Sequence, residues 1–344
     1  MGRRVLVTGL GSFWGGRIAQ ALERDPSVDV IIGLDRNVPA VALERTEYVR
    51  SDEGYSILDR IVRATGIDTI VHTFLVVDSS QMPARQIHEI NAIGTMNLFA
   101  AASAPGSTVR QVVVKSSTLV YGASQRDPNW FDEDTPRTAR ARTLVERSLI
   151  EVEGYVHDYA IDNPDVKVAL LRYSNVLGAD IRTPIARLLK LPFVPQIGGF
   201  DPRMQFVHEN DVVLSILFVL DHDTSGVFNV AGDGLVSWSE AAAIVGKRLV
   251  PMPPVGTGLL AGPASRLGIN LTPGVLSLLR FGRGVDNRRF KAEGFRYTHT
   301  SAGTVESFAQ GMRLRRVLGG TTPAYEFEAD VETFFRHSPS VARD

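Results

Sequence analysis

A glycine-rich turn at residues 8–16, TGLGSFWGG, has the composition of a phosphate-binding site and lies between a β-branched run and a helical pattern. Glycines permit a tight turn and a close approach of the backbone, and the free N–H groups of a helix N-terminus stabilise an anion. The residues predicted to contact the pyrophosphate of a dinucleotide are Gly9, Ser12, Phe13, Trp14 and Gly15. Ser12 replaces the usual middle glycine, and its hydroxyl is itself able to donate to a phosphate. A strand–turn–helix unit without a ligand is the alternative interpretation.

An acidic residue follows at the spacing expected for an adenosine ribose. Asp35 closes the apolar run VDVIIGLD and stands 20 residues after Gly15 (35 − 15 = 20). A carboxylate at this position accepts hydrogen bonds from both ribose hydroxyls and repels a 2′-phosphate, which favours NAD. The adjacent Arg36 is able to meet a 2′-phosphate, so NADP stays the less favoured alternative.

Strand-like and helix-like segments alternate over the first half of the chain. The predicted strands are residues 4–9, 28–35, 46–52, 68–75, 110–117 and 166–172. The predicted helices are residues 14–24, 54–65, 85–103 and 140–162. Nearly continuous apolar strands are typical of parallel strands that are buried on both faces. The alternation therefore predicts an α/β fold with a doubly wound parallel sheet of the Rossmann type.

The regular alternation of strand-like and helix-like segments ends after Arg172. This change predicts a smaller, mostly helical C-terminal substrate subdomain. We expect a dinucleotide-binding domain over residues 1–172. A substrate-binding subdomain is expected over residues 173–338, with some segments returning to the sheet, followed by a tail over residues 339–344.

One segment of the C-terminal half is apolar yet rich in proline and glycine. Residues 250–281 carry only two charges, Arg266 and Arg280. The segment is predicted to fold onto the core as a small helical unit. A lid, an oligomer contact or a peripheral contact with a membrane surface are the alternatives.

The composition excludes several classes of function. The 344 residues include no cysteine, which excludes disulfides, thiolate metal sites and a cysteine nucleophile, and which fits a cytoplasmic location. The formal net charge of −1 gives no field that favours nucleic acid. No apolar run reaches the length of about 18 residues that a transmembrane span needs, and no metal site is predicted.

A series of short motifs runs along residues 1–315. After the glycine turn come DTIVHTFL (68–75), NAIGTMNLFAAA (91–102), VKSSTLVYG (114–122), LRYSNVLG (171–178), FVHENDVV (206–213), GVFNVAG (226–232) and VDNRRFKAEGF (285–295). In this order they resemble the extended short-chain dehydrogenase/reductase superfamily, and within it the NAD-dependent epimerase/dehydratase family typified by UDP-glucose 4-epimerase. The resemblance implies an NAD-dependent enzyme that acts on a sugar nucleotide, an isomerase or oxidoreductase by reaction type.

The resemblance also implies which residues contact the cofactor and the substrate. The implied cofactor contacts are Asp52, Thr73, Phe74 and Asn91, with His72 beside them. Ser117 would hold the reacting oxygen, and Asn175 would contact a substrate phosphate. Met204 stands where the family often has an arginine for the diphosphate, with Arg203 one residue earlier. The resemblance further implies a homodimer that pairs through the helices predicted at 85–103 and 140–162.

The proton relay that the family uses is absent from its usual place. The family has a tyrosine that removes the hydroxyl proton and a lysine four residues later that lowers the pKa of the tyrosine. No tyrosine lies between Tyr121 and Tyr155, and no lysine lies in residues 116–166. The usual acid–base pair is therefore missing.

Two helical registers fill the slots of the tyrosine and the lysine. One gives Thr143 and Arg147, and the other gives Arg142 and Glu146. Arg147 is able to hold nicotinamide ribose hydroxyls, whereas a threonine hydroxyl ionises too weakly to act as a base. Other side chains that are able to approach the site, each with a structural role as the favoured interpretation, are His72, Tyr121, Glu133, Glu146, Tyr155 and Tyr159.

Three functional hypotheses remain open at this point. The first is a nucleotide-sugar epimerase or dehydratase with an atypical active site. The second is a non-catalytic NAD-binding sensor or scaffold, because the catalytic pair is missing and a fold alone does not carry function. The third is an oxidoreductase whose hydrophobic substrate lies under residues 250–281.

Overall fold

The computed structural model describes residues 2–52, 54–78, 82–254, 271–318 and 340–341. The strands are β1 (Arg3–Thr8), β2 (Val28–Asp35), β3 (Thr46–Arg50), β4 (Thr69–His72), β5 (Gln111–Ser117), β6 (Lys167–Tyr173), β7 (Asn175–Leu177), β8 (Phe193–Ile197), β9 (Arg203–Met204), β10 (Phe206–His208), β11 (Gly226–Val230), β12 (Val236–Ser237) and β13 (Arg248–Met252). The α-helices are α1 (Phe13–Glu23), α2 (Tyr55–Thr65), α3 (Ala84–His88), α4 (Gly94–Ala102), α5 (Leu144–Asp162), α6 (Pro184–Lys190), α7 (Glu209–His222), α8 (Trp238–Ile244), α9 (Pro273–Phe281), α10 (Arg288–Ala292) and α11 (Ser301–Leu318).

Seven strands form a central parallel sheet in the spatial order β11-β6-β5-β4-β1-β2-β3. Alternate side chains of each strand enter opposite layers, as strand geometry requires. In β5, Val112 and Val114 pack with α2, α4 and α5, whereas Val113 packs with α1 and α7. This sheet confirms the predicted α/β fold of the Rossmann type, since the order from β3 to β6 is that of a doubly wound dinucleotide fold.

Two helices differ from the sequence prediction for local reasons. The segment predicted as one helix over 85–103 contains a π-helical turn, Glu89–Ile93, between α3 and α4. Such turns occur mostly as single insertions within helices and often mark functional sites. Helix α5 begins at Leu144 rather than at residue 140, because Thr143 caps it by accepting a hydrogen bond from the N–H of Glu146.

The C-terminal half forms a further apolar cluster beside the sheet. Trp238, Phe206 and Leu279 are fully buried at its centre, together with the apolar faces of α6, α8 and α11. Three two-stranded pairings, β7 with β10, β9 with β12 and β8 with β13, support this region. Strand β11 returns to the edge of the main sheet beside β6.

The apolar segment 250–281 is described only in part, since residues 255–270 lie outside the described residues. Its C-terminal end is helix α9, in which Val275, Leu278 and Leu279 are buried. The described end therefore folds onto the core as the helical interpretation predicted. Of the helices in the described ranges, none combines the length and the apolar character needed to cross a membrane.

Candidate active site

The glycine turn connects β1 to α1 and is too compact for side chains at two positions. Gly9 has a φ of 76°, and a Cβ there would lie 2.9 Å from the backbone of Phe74. A Cβ at Gly15 would lie 2.1 Å from the carbonyl oxygen of Gly9. Both glycines are therefore required for the first turn of α1 to pack against the loop that precedes it.

Ser12 caps α1 instead of presenting a free hydroxyl. Its Oγ accepts from the N–H of Gly15 at 3.1 Å and donates to the carbonyl oxygen of Gly9 at 2.6 Å. The hydroxyl proton is thus donated within the turn and not to a phosphate, the other role that a serine at this position is able to have. The N–H groups of Phe13 and Trp14 find no acceptor among the described residues. These two donors at a helix N-terminus fit a pyrophosphate.

Asp35 lies at the end of β2, directly beside the turn. Its carboxylate accepts from the backbone N–H of Gly11 at 3.0 Å and of Asn37 at 2.8 Å, and burial raises the pKa of the carboxyl group. Arg36 forms an exposed ion pair with Asp52, in which the nearest nitrogen and oxygen are 3.6 Å apart. The carboxylate predicted for the ribose is therefore held by backbone N–H groups of the glycine turn and of Asn37.

The residues that follow β4 hold the turn from the other side. The hydroxyl of Thr73 donates to the carbonyl oxygen of Thr8 at 2.8 Å, and the backbone of Phe74 lies against Gly9. The amide of Asn91 bonds both the N–H and the carbonyl of Val76, and it donates to Ser148. Thr73 and Asn91 thus shape the loop around the cofactor site with their polar groups already satisfied inside the protein.

His72 has the structural role that the sequence favoured. Its ring nitrogens lie 2.6 Å from the Oγ of Thr8 and 2.9 Å from the Oγ of Thr95. Burial, together with the charge of Lys115, lowers the pKa of His72 to about 3, so the ring is neutral. A neutral imidazole with both nitrogens bonded is not available for proton transfer.

A cleft of about 930 Å³, counted with its open mouth, adjoins the glycine turn. Ser117 and Asn175 both line it, at the end of β5 and the start of β7. The hydroxyl of Ser117 accepts from the N–H of Leu119 at 3.2 Å and makes a long contact, 3.5 Å, to the carbonyl oxygen of Tyr173. Its proton is therefore weakly held and available to a ligand. Asn175 donates to the carbonyl oxygen of Gln205 at 3.0 Å.

The residues at the positions of the missing tyrosine and lysine lie in different surroundings. Thr143 lines the cleft, but its Oγ is the N-cap of α5. Arg147 is exposed and is not among the described residues that line the cleft. Glu146 lines the cleft and is ion-paired with Arg137, and it also accepts from the N–H of Arg142 at 2.9 Å. Neither register supplies an unpaired base.

The tyrosines considered as substitutes are held elsewhere. The hydroxyl of Tyr121 bonds Asn229 and the carbonyl of Asp132 and receives a hydrogen bond from Arg172, and burial raises its pKa. Burial raises the pKa of Tyr159 to about 12. Tyr155 donates to Glu151 on its own helix at 3.1 Å. None of the three lines the cleft within the described part of the chain.

Two cationic side chains of the cleft were not among the residues predicted from the sequence. Lys115, on β5, and Arg283, after α9, are both buried and both line the cleft. Burial lowers the pKa of Arg283 to about 10, and its Nε has no hydrogen-bond partner in the structure. A lysine is rarely buried without a functional or structural reason, and the position of Lys115 in a predicted strand, directly after three valines, could have indicated this burial.

Arg203, predicted to contact substrate, is exposed and is not one of the described residues lining the cleft, and its neighbour Met204 is fully buried. Arg283 pairs with Met204 through a β-bridge, and its guanidinium donates to the carbonyl of Thr118. The arginine of the cleft therefore comes from a distant part of the chain. Among the described residues, no three His, Asp or Glu side chains converge as a metal site.

Comparison with known proteins identifies relatives of this fold. Residues 5–231 match the model of the NAD dependent epimerase/dehydratase family. An uncharacterized protein of Mycobacterium tuberculosis is 31% identical over 326 residues, which cover 91% of this chain and 85% of that protein. UDP-glucose 4-epimerase 3 of Oryza sativa subsp. japonica is 26% identical over 193 residues, which cover 52% of this chain and 50% of that protein.

A solved structure has the same architecture. UDP-glucuronic acid 4-epimerase from Bacillus cereus, crystallised in complex with NAD, superposes with a TM-score of 0.68 at 17% identity and covers 90% of this chain and 99% of that chain. The family predicted from the order of the motifs is confirmed by the match over the sheet and by the mycobacterial relative. The chain belongs to the NAD dependent epimerase/dehydratase family.

Proposed function

We propose that this protein binds NAD over its glycine turn and interconverts a hydroxyl and a carbonyl on a nucleotide sugar in the adjoining cleft. The observation that carries the proposal is the convergence of the Ser117 hydroxyl, the Asn175 amide and the Arg283 guanidinium in one cleft beside the turn. NAD supplies a hydride acceptor when it is bound. Ser117 orients the reacting oxygen, and Arg283 offers a buried positive charge to a diphosphate.

The environment of Asp35 supports NAD rather than NADP. The carboxylate is buried at the end of β2. A 2′-phosphate beside it would therefore be repelled by the like charge and would also lose hydrating water. Arg36 lies against Asp52, which reduces its availability for a phosphate. Structures of similar fold that were solved in complex with NAD agree with this preference.

Replacement of Asp35 by alanine is expected to weaken NAD binding by about 10- to 100-fold, because a hydrogen bond to a charged group contributes about 1.5–3 kcal/mol. The variant also leaves the N–H groups of Gly11 and Asn37 without their acceptor. Isothermal titration calorimetry with NAD measures the effect. Asp29→Ala, at the exposed opposite end of the same strand, is the control and should bind NAD normally. Unchanged affinity in Asp35→Ala would contradict the assignment of the ribose site.

The apolar part of the cleft supports a second candidate function, the oxidation of a hydrophobic alcohol. Val145, Val176, Ile185, Val275 and Leu278 line the cleft beside its polar groups. A long apolar substrate would bury more surface there than a sugar does. Arg283 argues against it, because an apolar substrate leaves that buried cation unpaired.

The proposed function is tested with purified protein in two stages. Bound dinucleotide is first identified by mass spectrometry, and a panel of sugar nucleotides and long-chain alcohols is then offered to the NAD-loaded protein. Reduction of the cofactor, followed by its absorbance, is expected with a sugar nucleotide and is expected to be lost in Ser117→Ala. Ser116→Ala is the matched control, since the hydroxyl of Ser116 donates to Glu153 at 2.7 Å. Firm NAD binding without reduction by any compound would favour a non-catalytic sensor.

We further propose that the protein is a homodimer that pairs through α4 and α5. These neighbouring helices expose apolar side chains, and Met96 and Ile150 are 46% and 41% exposed. Exposed apolar groups on adjacent helices are suited to a helix-bundle interface. A cytoplasmic location stays a prediction from the cysteine-free composition.

The double variant Met96→Glu/Ile150→Glu is expected to sediment as a monomer, because a charge buried without a partner disfavours the interface. Analytical ultracentrifugation of wild type and variant measures the mass. Leu214→Glu, which changes an exposed apolar residue on α7, is the control and should leave the mass unchanged. A wild-type protein that sediments as a monomer would refute the proposed dimer.

A further inference from the structure

Among the charged side chains described in the cleft, Lys115 has the fewest hydrogen-bond and ion-pair partners. It lies on β5, whose first six residues are all buried, and is itself only 4% exposed. Its side chain lines the cleft together with Ser117. Residues two apart on a strand project from the same face, so Lys115 and Ser117 share a side of the sheet. Its ammonium lies 5.8 Å from the centre of the Trp14 ring. No hydrogen bond or carboxylate partner for it occurs among the described residues.

The charged and titratable groups around Lys115 are already engaged. On β4, His72 is neutral between two threonine hydroxyls. On β6, the hydroxyl of Tyr173 contacts Ser215 at 2.8 Å. From the other cleft walls, Glu146 is paired with Arg137, Asp78 is paired with Arg187, and Arg283 adds like charge. The carboxylates that line the cleft therefore have other cations as partners, and nothing near Lys115 fixes it in its charged form.

An uncompensated, buried ammonium is stabilised by losing its proton. Burial lowers the pKa of Lys115 to about 8, so about a tenth of the amine is neutral at pH 7 and the neutral fraction grows as the pH rises towards 8. The hydroxyl of Thr143 ionises far too weakly to serve as a base at this pH. Lys115 is thus the side chain of the cleft that combines a free lone pair with access to the oxygen that Ser117 orients.

We propose that Lys115 is the proton-transfer residue of this cleft and that its neutral amine accepts the proton of the substrate hydroxyl held by Ser117. The proposal rests on the proposed function. The O–H bond breaks and its proton forms an ammonium on Nζ, while the hydrogen of the carbon passes with its electron pair to the oxidised nicotinamide and a C=O bond forms. In the reverse direction the ammonium returns its proton to the carbonyl oxygen. Lys115 thereby replaces the tyrosine and lysine that are absent from α5.

The test compares Lys115→Met, which has no proton acceptor, with Lys115→Arg, which keeps the charge but does not deprotonate. Lys167→Met, an exposed lysine at the start of β6, is the control. Because Lys115 has no charged partner, Lys115→Met is expected to fold and to bind NAD as wild type does. Cofactor reduction is expected to fall about 100-fold or more in both Lys115 variants, the range typical of a lost general base.

The pH dependence gives a sharper result than the rate alone. The wild-type rate is expected to rise with pH through an inflection near the Lys115 pKa of about 8, since the amine must be neutral. Lys115→Arg is expected to lose that inflection. In the free protein, NMR of ¹³Cε-labelled lysine is expected to show one of the five lysines titrating near this pH, and that resonance should vanish in Lys115→Met.

The outcomes separate the two proposals. Wild-type turnover and an unchanged pH profile in Lys115→Arg would overturn the role of Lys115 and leave the proposed function intact. A Lys115 resonance that titrates at the usual lysine value of about 10.4 would also overturn it. A wild-type protein whose NAD is reduced by no sugar nucleotide overturns the proposed function, and the proton-transfer role falls with it.

Discussion

Replacement of Gly15 by alanine is expected to weaken NAD binding by about 100-fold or more. A Cβ at this position would lie 2.1 Å from the carbonyl oxygen and 2.6 Å from the carbonyl carbon of Gly9, both of them backbone atoms. The turn and the first turn of α1 must therefore move apart, which displaces the free N–H groups of Phe13 and Trp14. Loss of two charge-assisted hydrogen bonds, at about 1.5–3 kcal/mol each, weakens affinity by about 100-fold or more.

Calorimetric titration with NAD measures the loss, and thermal unfolding followed by circular dichroism reports on the fold. Overpacking at Gly15 is also expected to lower the free energy of unfolding by about 1–3 kcal/mol. Gly154→Ala is the matched control, because Gly154 is also helical and has no atom within 4 Å of the added Cβ. It should bind NAD normally and gain up to about 1 kcal/mol from helix propensity. A Gly15→Ala protein that is folded and binds NAD normally would rule out this turn as the pyrophosphate site.

Replacement of Arg283 by methionine is expected to weaken binding of UDP by about 10- to 100-fold, because a hydrogen bond from a charged group contributes about 1.5–3 kcal/mol. Its guanidinium is buried in the cleft wall, and its Nε has no hydrogen-bond partner among the residues that the structure describes. Burial lowers its pKa to about 10, which still leaves it protonated at neutral pH. A diphosphate therefore finds there a cation that is already desolvated and pre-positioned.

Arg203→Met is the control for this experiment. Arg203 is exposed, although its neighbour Met204 pairs with Arg283 in the fold. Calorimetric titration of both variants with UDP is expected to give a large loss for Arg283→Met and little change for Arg203→Met. Equal losses, or a loss only in Arg203→Met, would restore the substrate contact first expected from the sequence.

The residues on the cofactor side of the site could be predicted mainly from local sequence. Glycines at fixed spacing after a strand, and an acid that ends the next strand, are contiguous features of a βαβ unit. Parallel strands β1 and β2 are neighbours in the sheet, so the chain itself brings Asp35 to the turn. For that reason the amino-acid sequence alone predicts the positions around Gly9, Gly15 and Asp35, whereas the family was identified from the resemblance of the ordered motifs along residues 1–315. It does not predict the role of the Ser12 hydroxyl, because a serine at the N-cap position bonds backbone groups or a ligand equally well.

The charged residues of the cleft could not be predicted in this way, because they are brought together by contacts between distant parts of the chain. No local sequence pattern indicates such contacts. Lys115 and Arg283 are 168 positions apart (283 − 115 = 168), yet both line one cleft that α9 helps to close. Whether a buried cation is paired or free depends on every element packed against it, and the carboxylates of Glu146 and Asp78 that line the cleft are paired with Arg137 and Arg187. The sequence by itself determined the sheet and the dinucleotide turn, because these arise from neighbouring segments. Only the tertiary structure decided which charges face the cleft, because burial and pairing are properties of the packed molecule.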